Sequence, residues 1–597
     1  MMKRLTALIL SLAMLFSCMV FAQAEAADSD SYLGKSTTFT FTADTGVNTP
    51  LVTDYAQIPP LQYIMAKEWD PAGNGNARKV DLEVVIPPSG NERDYLTNIL
   101  STGDYSDMMS LQMVSTTATE MYENGQALDI TDYVMQYMPN YLAYFDRHPE
   151  LKGHETCMVD GEPRYLCLYG LVEKRMPAWG GMVYRRDWIV KYGKNPVTGE
   201  AFTGSWSEDG ANWTDNVVFP SGNPDPMTIS DWEWMLDIFQ TALNELGIDD
   251  GYALGINASG TIGVYDFESA FGDVSTWYID PKSGEAAFGA TSGSHRAYLE
   301  CLRTWYEKGW INPYFYEFSN DMFFMVDAGS IYSGKVGAWY GMNNQFGNAL
   351  DYSGGDESNP LNGIVVFAAP NPINDVYGDE SMQGITPFYY YAMGLIGSQV
   401  VVTDKAKDKD LPALFTFLDY FYSPEGSIMA TYGLNAEQTK ELEAINPDSY
   451  RICVESGLEN GAYTIVDGKY RREDIYFTSE DASGTAVPRR FIRLEDESNM
   501  LYEYPEYYQH GLDLWGMYPV DALIGNEIMA QLTQEENDIK ATLDAEYATF
   551  AAQAIPEFIT GERDIRSDAD WEAFCNDVNA FRPEEFTNAL NRILQGK

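Results

Sequence analysis

The sequence is rich in carboxylates and poor in the other side chains that enzymes use for chemistry. It contains 89 aspartates and glutamates but only four histidines, which are scattered along the chain. There is no H-E-x-x-H pair to bind zinc, no G-x-S-x-G elbow to hold a nucleophilic serine and no G-x-x-x-x-G-K-[ST] loop to bind phosphates. Two carboxylates can hydrolyse a glycosidic bond, but no local motif singles out such a pair. We therefore expect no catalytic residue, no metal and no cofactor.

Aromatic side chains are the second group that could act on a ligand. They make up 14% of the residues, with 41 tyrosines and 13 tryptophans. Their flat faces pack against the C–H patches of sugar rings, while amide and carboxylate side chains hydrogen-bond the hydroxyl groups. The composition therefore favours a carbohydrate ligand, although many of these rings must belong to the core.

The charge of the chain limits its partners. The 89 acidic residues outnumber 38 basic ones, which gives a formal net charge of −51 that is spread along the whole sequence. A field of this sign repels phosphate backbones and anionic lipid headgroups. Nucleic acid and anionic membrane surfaces are therefore poor partners.

The N-terminus has the layout of a secretory signal peptide. Lys3 and Arg4 precede an apolar run, and the run ends in small residues around Ala22-Gln23-Ala24. We assign residues 1–24 to this signal and expect an extracytoplasmic protein, either secreted or attached to the outer face of the cell membrane. No later segment offers the roughly 20 apolar residues that a membrane span needs.

The cysteines leave two questions open. Leu15-Phe16-Ser17-Cys18 resembles a bacterial lipobox, so lipidation of Cys18 is the alternative to cleavage after Ala24. The other five cysteines are widely spaced without a C-x-x-C pair, which indicates neither a disulfide framework nor a zinc site. Cys157 and Cys167 flank a turn signal, and they either form a disulfide or are two small buried residues.

Short strand patterns alternate with longer amphipathic segments, which is typical of an α/β protein. We predict strands at Ser36–Ala43 and Val80–Ile86, helices at Leu61–Trp69 and Asn91–Leu100, and then a further strand that includes Met108. This is the start of a doubly wound sheet. Because 597 residues exceed what one hydrophobic core organises, we expect at least two lobes.

Six motifs follow one another along the chain, each of which alone is a common turn or helix cap. They are Asp81–Met109, Val183–Trp188, Met227–Trp232, Gly334–Trp339, Phe421–Gly426, and Phe558–Gly561 followed by Asp570-Trp571. Together and in this order they resemble the motifs of the family 1 extracellular solute-binding proteins, the substrate-binding subunits of ABC importers, and most closely the longer lipoprotein-type members.

The resemblance implies a type II periplasmic-binding-protein fold, with two α/β lobes, a hinge and an interlobe ligand cleft. We place lobe 1 at 36–170 and 371–435, and lobe 2, with a C-terminal extension, at 171–368 and 436–597. The implied function is to capture a carbohydrate, most simply an oligosaccharide, and deliver it to an ABC permease in the membrane. The alternatives are a receptor for peptides or other small solutes and a secreted carbohydrate-active enzyme.

The candidate ligand contacts are residues that the family fold would bring to the cleft and whose chemistry suits a sugar. Trp277 and Trp339 are the preferred stacking residues. The candidates are Asp107, Trp179, Trp277, Tyr278, Trp339, Tyr340, Asn343, Asn344 and Tyr390.

The hypothesis for Trp339 comes from strand alternation after Gly334. Val336 and Ala338 would face the core, so Trp339 would lie on the opposite, open side, followed by Asn343 and Asn344. The competing interpretation is a tryptophan packed beneath a helix.

Overall fold

A computed structural model gives the structure of the chain. It describes residues 35–44, 49–88, 91–114, 116–151, 153, 155–160, 162–174, 178, 180–256, 267–317, 328–348, 363–388, 395–518, 522–529 and 531–596. The predicted signal peptide with Cys18, and the candidate ligand contacts Trp179 and Tyr390, lie outside these ranges.

The strands are numbered in chain order. They are β1 Ser36–Thr42, β2 Lys79–Val85, β3 Met108–Ser110, β4 Cys157–Val159, β5 Glu162–Arg164, β6 Leu168–Val172, β7 Gly180–Arg185, β8 Gly204–Trp206, β9 Trp213–Asp215, β10 Tyr252–Gly255, β11 Trp277–Ile279, β12 Ala286–Phe288, β13 Val336–Met342, β14 Val366–Ala368, β15 Ile396–Val402, β16 Tyr463–Val466, β17 Lys469–Arg472 and β18 Leu494–Glu495.

The α-helices are numbered in the same way. They are α1 Pro59–Met65, α2 Glu92–Thr102, α3 Ala118–Glu123, α4 Thr131–Tyr137, α5 Pro139–Arg147, α6 Arg186–Tyr192, α7 Ile229–Leu246, α8 Gly293–Glu307, α9 Ala328–Tyr332, α10 Leu411–Tyr420, α11 Pro424–Tyr432, α12 Ala436–Ile445, α13 Pro447–Glu455, α14 Ile475–Thr478, α15 Glu480–Thr485, α16 Glu506–Trp515, α17 Asn526–Met529, α18 Gln534–Thr560, α19 Asp568–Ala580 and α20 Pro583–Leu594. Short 3-10 helices lie at Tyr55–Gln57, Pro149–Leu151, Glu268–Phe271, Phe315–Glu317, Asn343–Gln345, Glu380–Met382 and Asp404–Ala406.

The chain forms two compact units. Unit 1 comprises the described residues within Met1–Lys174 and Gly394–Tyr502, and unit 2 those within Arg175–Met393 and Glu503–Lys597. The mixed α/β character predicted from the sequence is confirmed in both units, as are the predicted elements at the start of the chain.

Unit 1 is built on a six-stranded sheet in the order β18-β6-β15-β3-β1-β2. β1 runs parallel to both β2 and β3, as expected for a doubly wound start, while β15 is antiparallel to β3 and β6. Phe39 and Phe41 of β1 are fully buried, and Phe41 contacts the ring of Phe491 edge-on at 5.2 Å. Alternating apolar residues thus anchor the sheet in its helical cover.

Unit 2 is built on a four-stranded sheet in the order β10-β13-β7-β14. β10 and β13 are parallel, whereas β7 is antiparallel to both β13 and β14. The long helix α7 packs beside this sheet, and it begins within the Met227–Trp232 motif. Thr228 Oγ1 accepts the Asp231 N–H, and the Asp231 carboxylate accepts the Thr228 N–H, each at 3.1 Å, which completes a capping box.

The C-terminal segment of unit 2 covers surfaces that the strand pattern alone leaves open. Leu512 and Trp515 of α16 pack on one face of the four-stranded sheet, together with Val183 and Trp339. Phe586 and Leu590 of α20 pack on the β11–β12 hairpin, in a separate core cluster. Both faces of the sheet in unit 2 are therefore buried, as is usual for sheets with parallel strands.

The division of the chain differs from the expected lobes in three places. Residues 171–174 belong to unit 1, because β6 of its sheet extends to Val172. Residues 436–502 belong to unit 1, because β18 continues the sheet of that unit beside β6. The described residues within 371–393 belong to unit 2, where Ile373 exchanges backbone hydrogen bonds with Met227 and Ile229. Neither pairing can be read from motif order, because each joins segments that are far apart in the sequence.

Gly426, the last residue of the Phe421–Gly426 motif, lies at a close contact between two backbone segments. It lies inside α11 and is not in the left-handed region that a turn would use; Ser423 caps the helix and Pro424 begins it. A Cβ atom at position 426 would lie 1.7 Å from the Tyr420 carbonyl oxygen. The glycine is thus required by a close backbone approach.

Two further expectations concern the cysteine pair and membrane-spanning helices. Cys157 and Cys167 are buried and are not joined in a disulfide. None of the helices in the described ranges is long and apolar enough to cross a membrane.

Candidate functional site

The carboxyl end of β13 is the part of unit 2 where predicted ligand contacts come together. In open α/β sheets, ligands bind beyond the carboxyl ends of the strands. β13 ends at Met342, and the 3-10 turn Asn343–Gln345 follows directly. Asn344 is exposed and Asn343 is half-buried, so two amides lie at this edge of the sheet. An amide supplies both donors and acceptors, which is what sugar hydroxyls require.

Tyr340 lies near the same strand end but packs against the other face of the sheet. It is half-buried and opposite Met182 in the β13–β7 register. A Cβ atom at Gly180 would lie 3.0 Å from the Tyr340 hydroxyl, so the absence of a side chain at Gly180 makes room for this ring.

Trp339 is part of the core, and the stacking role predicted for it is not supported. Its side chain is 1% exposed and packs with Val183, Phe346 and Trp515. Trp339 and Ala338 belong to different core clusters, as the alternation predicts, but Val336 belongs to the cluster of Trp339, contrary to that prediction. The side that carries Trp339 is closed by α16. The structure therefore supports the competing interpretation, a tryptophan packed beneath a helix.

Trp277 is also structural. It is 7% exposed and lies on β11 under α20, where its indole N–H donates to Thr587 Oγ1 at 3.1 Å. The rings of Phe288 and Phe586 contact it, with centroids 4.6 and 5.1 Å away. Its neighbour Tyr278 is 8% exposed and stacks on Phe388 at 5.8 Å. Burial holds the pKa of Tyr278 well above its usual range, so its hydroxyl stays protonated.

Asp107 is a structural carboxylate of unit 1. It is 3% exposed, and its Oδ2 accepts hydrogen bonds from Thr40 N at 2.7 Å, Thr40 Oγ1 at 2.9 Å and Lys409 Nζ at 2.7 Å. These bonds tie the start of β3 to the middle of β1. The ligand contact predicted at this position is therefore not supported, because the carboxylate is satisfied internally.

Tyr504 and Tyr508 are aromatic residues of this region that the sequence reasoning missed. They stack on each other with centroids 4.4 Å apart and an interplanar angle of 26°, and both are half-buried. Tyr508 also contacts Phe346, the residue after the amide turn, at 5.1 Å. The signal in the sequence was the tyrosine density of Tyr502-Glu-Tyr504-Pro-Glu-Tyr507-Tyr508. We name Asn343, Asn344, Tyr504 and Tyr508 the tyrosine–amide surface.

Helix α16, which carries Tyr508, is fixed by the β8–β9 hairpin and the loop that follows it. Asn212 Oδ1 accepts the Glu506 N–H at 2.9 Å, and His510 Nε2 lies 2.9 Å from Asp225 Oδ2. The hydrogen bond to the Asp225 carboxylate raises the pKa of His510 above its usual value. On the same side of α16, Tyr507 contacts Trp206 at 5.6 Å. These contacts hold α16, and with it the tyrosine pair, in place against the β8–β9 hairpin and the following loop.

Buried charges hold this support together. Arg186 is 4% exposed and forms two hydrogen bonds of 2.7 Å with the Asp215 carboxylate. The arginine lowers the pKa of Asp215 although burial opposes it, so the carboxylate remains ionised. Within the described ranges, no group of histidine, cysteine or acidic side chains has the arrangement of a metal site.

Comparison with known proteins identifies the fold. No family model matches the sequence, and no curated protein sequence matches it. The solved structures do match along nearly the whole chain.

An extracellular solute-binding protein from Bifidobacterium longum subsp. infantis superposes with a TM-score of 0.63 at 14% identity, over 94% of this chain and 98% of that one. The substrate-binding protein FusA of an S. pneumoniae ABC transporter, in complex with fructo-nystose, gives 0.59 at 15% identity, over 94% and 99%. The alginate-binding protein AlgQ2 gives 0.58 at 14%, over 96% and 100%. The chain has the fold of the extracellular solute-binding proteins. The periplasmic-binding-protein fold implied by the sequence motifs is confirmed.

Proposed function

We propose that this protein is the extracytoplasmic substrate-binding protein of an ABC importer and that its ligand is an oligosaccharide. In this proposal it works outside the cytoplasm, secreted or attached to the outer face of the cell membrane, and delivers the ligand to a membrane permease. The observation that carries the proposal is the tyrosine–amide surface at the carboxyl end of β13, on a solute-binding-protein fold.

The chemistry of that surface supports a sugar ligand. The stacked Tyr504 and Tyr508 rings offer an apolar face to C–H groups, while Asn343 and Asn344 offer donors and acceptors to hydroxyls. Structural neighbours of the same fold bind related ligands. FusA was solved with fructo-nystose and with kestose, and AlgQ2 is an alginate-binding protein.

The proposal does not include catalysis. A glycoside hydrolase needs a carboxylic acid of raised pKa and a second carboxylate, both facing the substrate. Burial raises the pKa of Glu268 to about 8 and that of Asp273 to about 7, but these side chains are 2% and 1% exposed. Carboxyl groups enclosed to this degree support a non-enzymatic role for this pair.

The experiment is a thermal-shift screen of the mature chain against oligosaccharides, monosaccharides and peptides. A ligand at 100 times its dissociation constant stabilises the folded state by about 2.7 kcal/mol. We expect the shift with oligosaccharides. A shift with peptides alone would contradict the carbohydrate ligand but not the role as a solute receptor. Release of shortened glycans by the pure protein would contradict the role as a receptor.

A further inference from the structure

Unit 2 contains a fully enclosed cluster of three titratable side chains that the proposed function does not use. Glu268, Asp273 and His295 are 2%, 1% and 0% exposed. His295 Nδ1 lies 2.6 Å from Glu268 Oε1. Ser292, the N-cap of α8, donates its hydroxyl to Asp273 Oδ2. The cluster thus joins the 3-10 helix Glu268–Phe271 and the loop after it to α8.

Several polar atoms of this cluster are unsatisfied. Glu268 Oε2, Asp273 Oδ1, Ser275 Oγ and His295 Nε2 are buried and have no hydrogen-bond partner within 3.5 Å among the described residues. Ser275 still lies near enough to the Glu268 carboxyl, and Tyr278 to the Asp273 carboxyl, to affect their pKa values. Buried polar atoms are nearly always paired, and a buried charge without a partner is far more costly than a buried neutral group. Their concentration in one place indicates side chains that avoid carrying charge.

Among the residues that the structure describes, no lysine or arginine shifts the pKa of either acid. The other titratable neighbours are tyrosines: Tyr278 lies beside Asp273, and the Tyr547 hydroxyl donates to the Ser275 carbonyl oxygen at 3.1 Å. The ring of His295 is flanked by Tyr298 and Trp571. Arg296, the basic residue next in the chain, is directed away and binds the Asp568 carboxylate and the Ile565 carbonyl oxygen.

We propose that Glu268 and Asp273, enclosed beside His295, form a buried proton-binding site whose carboxyl groups hold protons at neutral pH, and that the packing of unit 2 weakens when they lose them. The proposal rests on the enclosure, the short imidazole–carboxyl contact and the polar atoms that lack a partner within hydrogen-bond distance in the described part of the chain. It does not depend on the proposed function.

The expected pH range follows from burial. Desolvation raises the pKa of Glu268 to about 8 and that of Asp273 to about 7, and it lowers the pKa of His295 to about 4. Above pH 6.5 the folded protein keeps carboxyl protons that the unfolded chain has already released, so stability falls as pH rises towards 8. Below pH 6.5 the unfolded chain binds a proton at His295 that the folded protein does not bind. This contribution makes stability rise with pH, so it partly offsets the fall caused by the carboxyl groups.

Losing these protons would affect a defined part of unit 2. Asn371 Nδ2 donates to Ser269 Oγ at 3.0 Å and to the Phe388 carbonyl oxygen at 3.3 Å, and Phe388 stacks on Tyr278. Repulsion between two enclosed carboxylates would therefore loosen the 3-10 helix together with the contacts of Asn371 and Phe388.

The test is infrared difference spectroscopy of the full mature chain between pH 6.5 and pH 9, which detects the C=O stretch of protonated carboxyl groups. We expect a protonated-carboxyl signal at pH 6.5 that disappears by pH 9 and is missing in the Glu268→Gln/Asp273→Asn variant. The matched control is Asp419→Asn, which removes a buried carboxyl of unit 1 whose pKa is also raised. This control must keep the signal of the cluster.

Thermal unfolding supplies the second readout. The unfolding midpoint of the wild type should fall between pH 6.5 and pH 8.5, and the drop should shrink by at least half in the double variant. If the double variant does not fold, Glu268→Gln alone must weaken the infrared signal. Absence of a protonated carboxyl in the wild type at pH 6.5, or its persistence in the variants, overturns the proposal.

Discussion

Trp339 donates its indole N–H to Gln345 Oε1 at 3.1 Å, and the same oxygen accepts the Met342 N–H at 3.1 Å. Gln345 is 3% exposed, so this bonding occurs inside the core. A buried tryptophan therefore fixes the turn that displays Asn343 and Asn344. Its contribution to the candidate site is indirect, through the backbone of the turn.

Replacing this tryptophan should destabilise the fold. We expect Trp339→Ala to lower the free energy of unfolding by about 3–5 kcal/mol, because it leaves a cavity between the sheet and α16. Denaturant unfolding measures this cost. Gln345→Ala should cost less, about 1–3 kcal/mol, since it removes one buried acceptor. Near-native stability of Trp339→Ala together with lost sugar binding would restore a direct stacking role.

Replacing Tyr504 or Tyr508 should give the reverse of the result expected for Trp339: weaker binding with little loss of stability. Tyr508→Ala and Tyr504→Ala should weaken oligosaccharide binding by about threefold to tenfold each, the effect of one aromatic contact, while the melting temperature changes little. Titration calorimetry and melting on the same variants separate these effects. Tyr314→Ala, at a tyrosine of unit 2 that is 59% exposed, is the control and should leave both values unchanged. Unchanged affinity in both variants would place the ligand elsewhere.

Trp277 provides an independent check on the role of the C-terminal segment. Trp277→Ala should destabilise unit 2 by about 3–5 kcal/mol and leave oligosaccharide affinity unchanged in the folded fraction. Leu590→Ala, which truncates a fully buried partner on α20, should cost about 2–5 kcal/mol. A loss of affinity in Trp277→Ala without a loss of stability would show that this ring contacts the ligand.

The contact between His510 and Asp225 should make the support of α16 sensitive to pH. Because its pKa is raised in the folded protein, protonated His510 adds stability that is complete below pH 6.5 and is lost as pH rises through its folded value. The side chain is 47% exposed, so the contribution is at most about 1 kcal/mol. We expect His510→Gln to remove this part of the pH dependence in thermal melts. An identical pH profile in wild type and variant would contradict it.

Local patterns predicted much of the fold. The strand pattern at Ser36–Ala43 predicted β1, and the Met227–Trp232 motif coincides with the start of α7, because strand periodicity and helix caps depend on neighbouring residues. The motif order then predicted the solute-binding-protein fold. What failed were features set by distant segments, such as the membership of 436–502 in unit 1 through the pairing of β18 with β6.

The candidate site was predicted only in part, because some of its features also depend on distant segments. Strand alternation located the two amides after β13, but it could not show that α16 returns to bury Trp339 or that α20 buries Trp277. Tyr504 and Tyr508 were missed because their importance depends on the contact with Phe346, a residue far away in the sequence. Only the density of tyrosines in that segment hinted at them.

The central claim is that the protein binds an oligosaccharide and releases it unchanged. Isothermal titration calorimetry of the mature chain with purified oligosaccharides tests it most directly, when the ligand is recovered afterwards and its mass is measured. We predict saturable binding, weakened in Tyr508→Ala, with every ligand molecule recovered intact. Binding of peptides but no glycan, or recovery of cleaved glycan, would contradict the account.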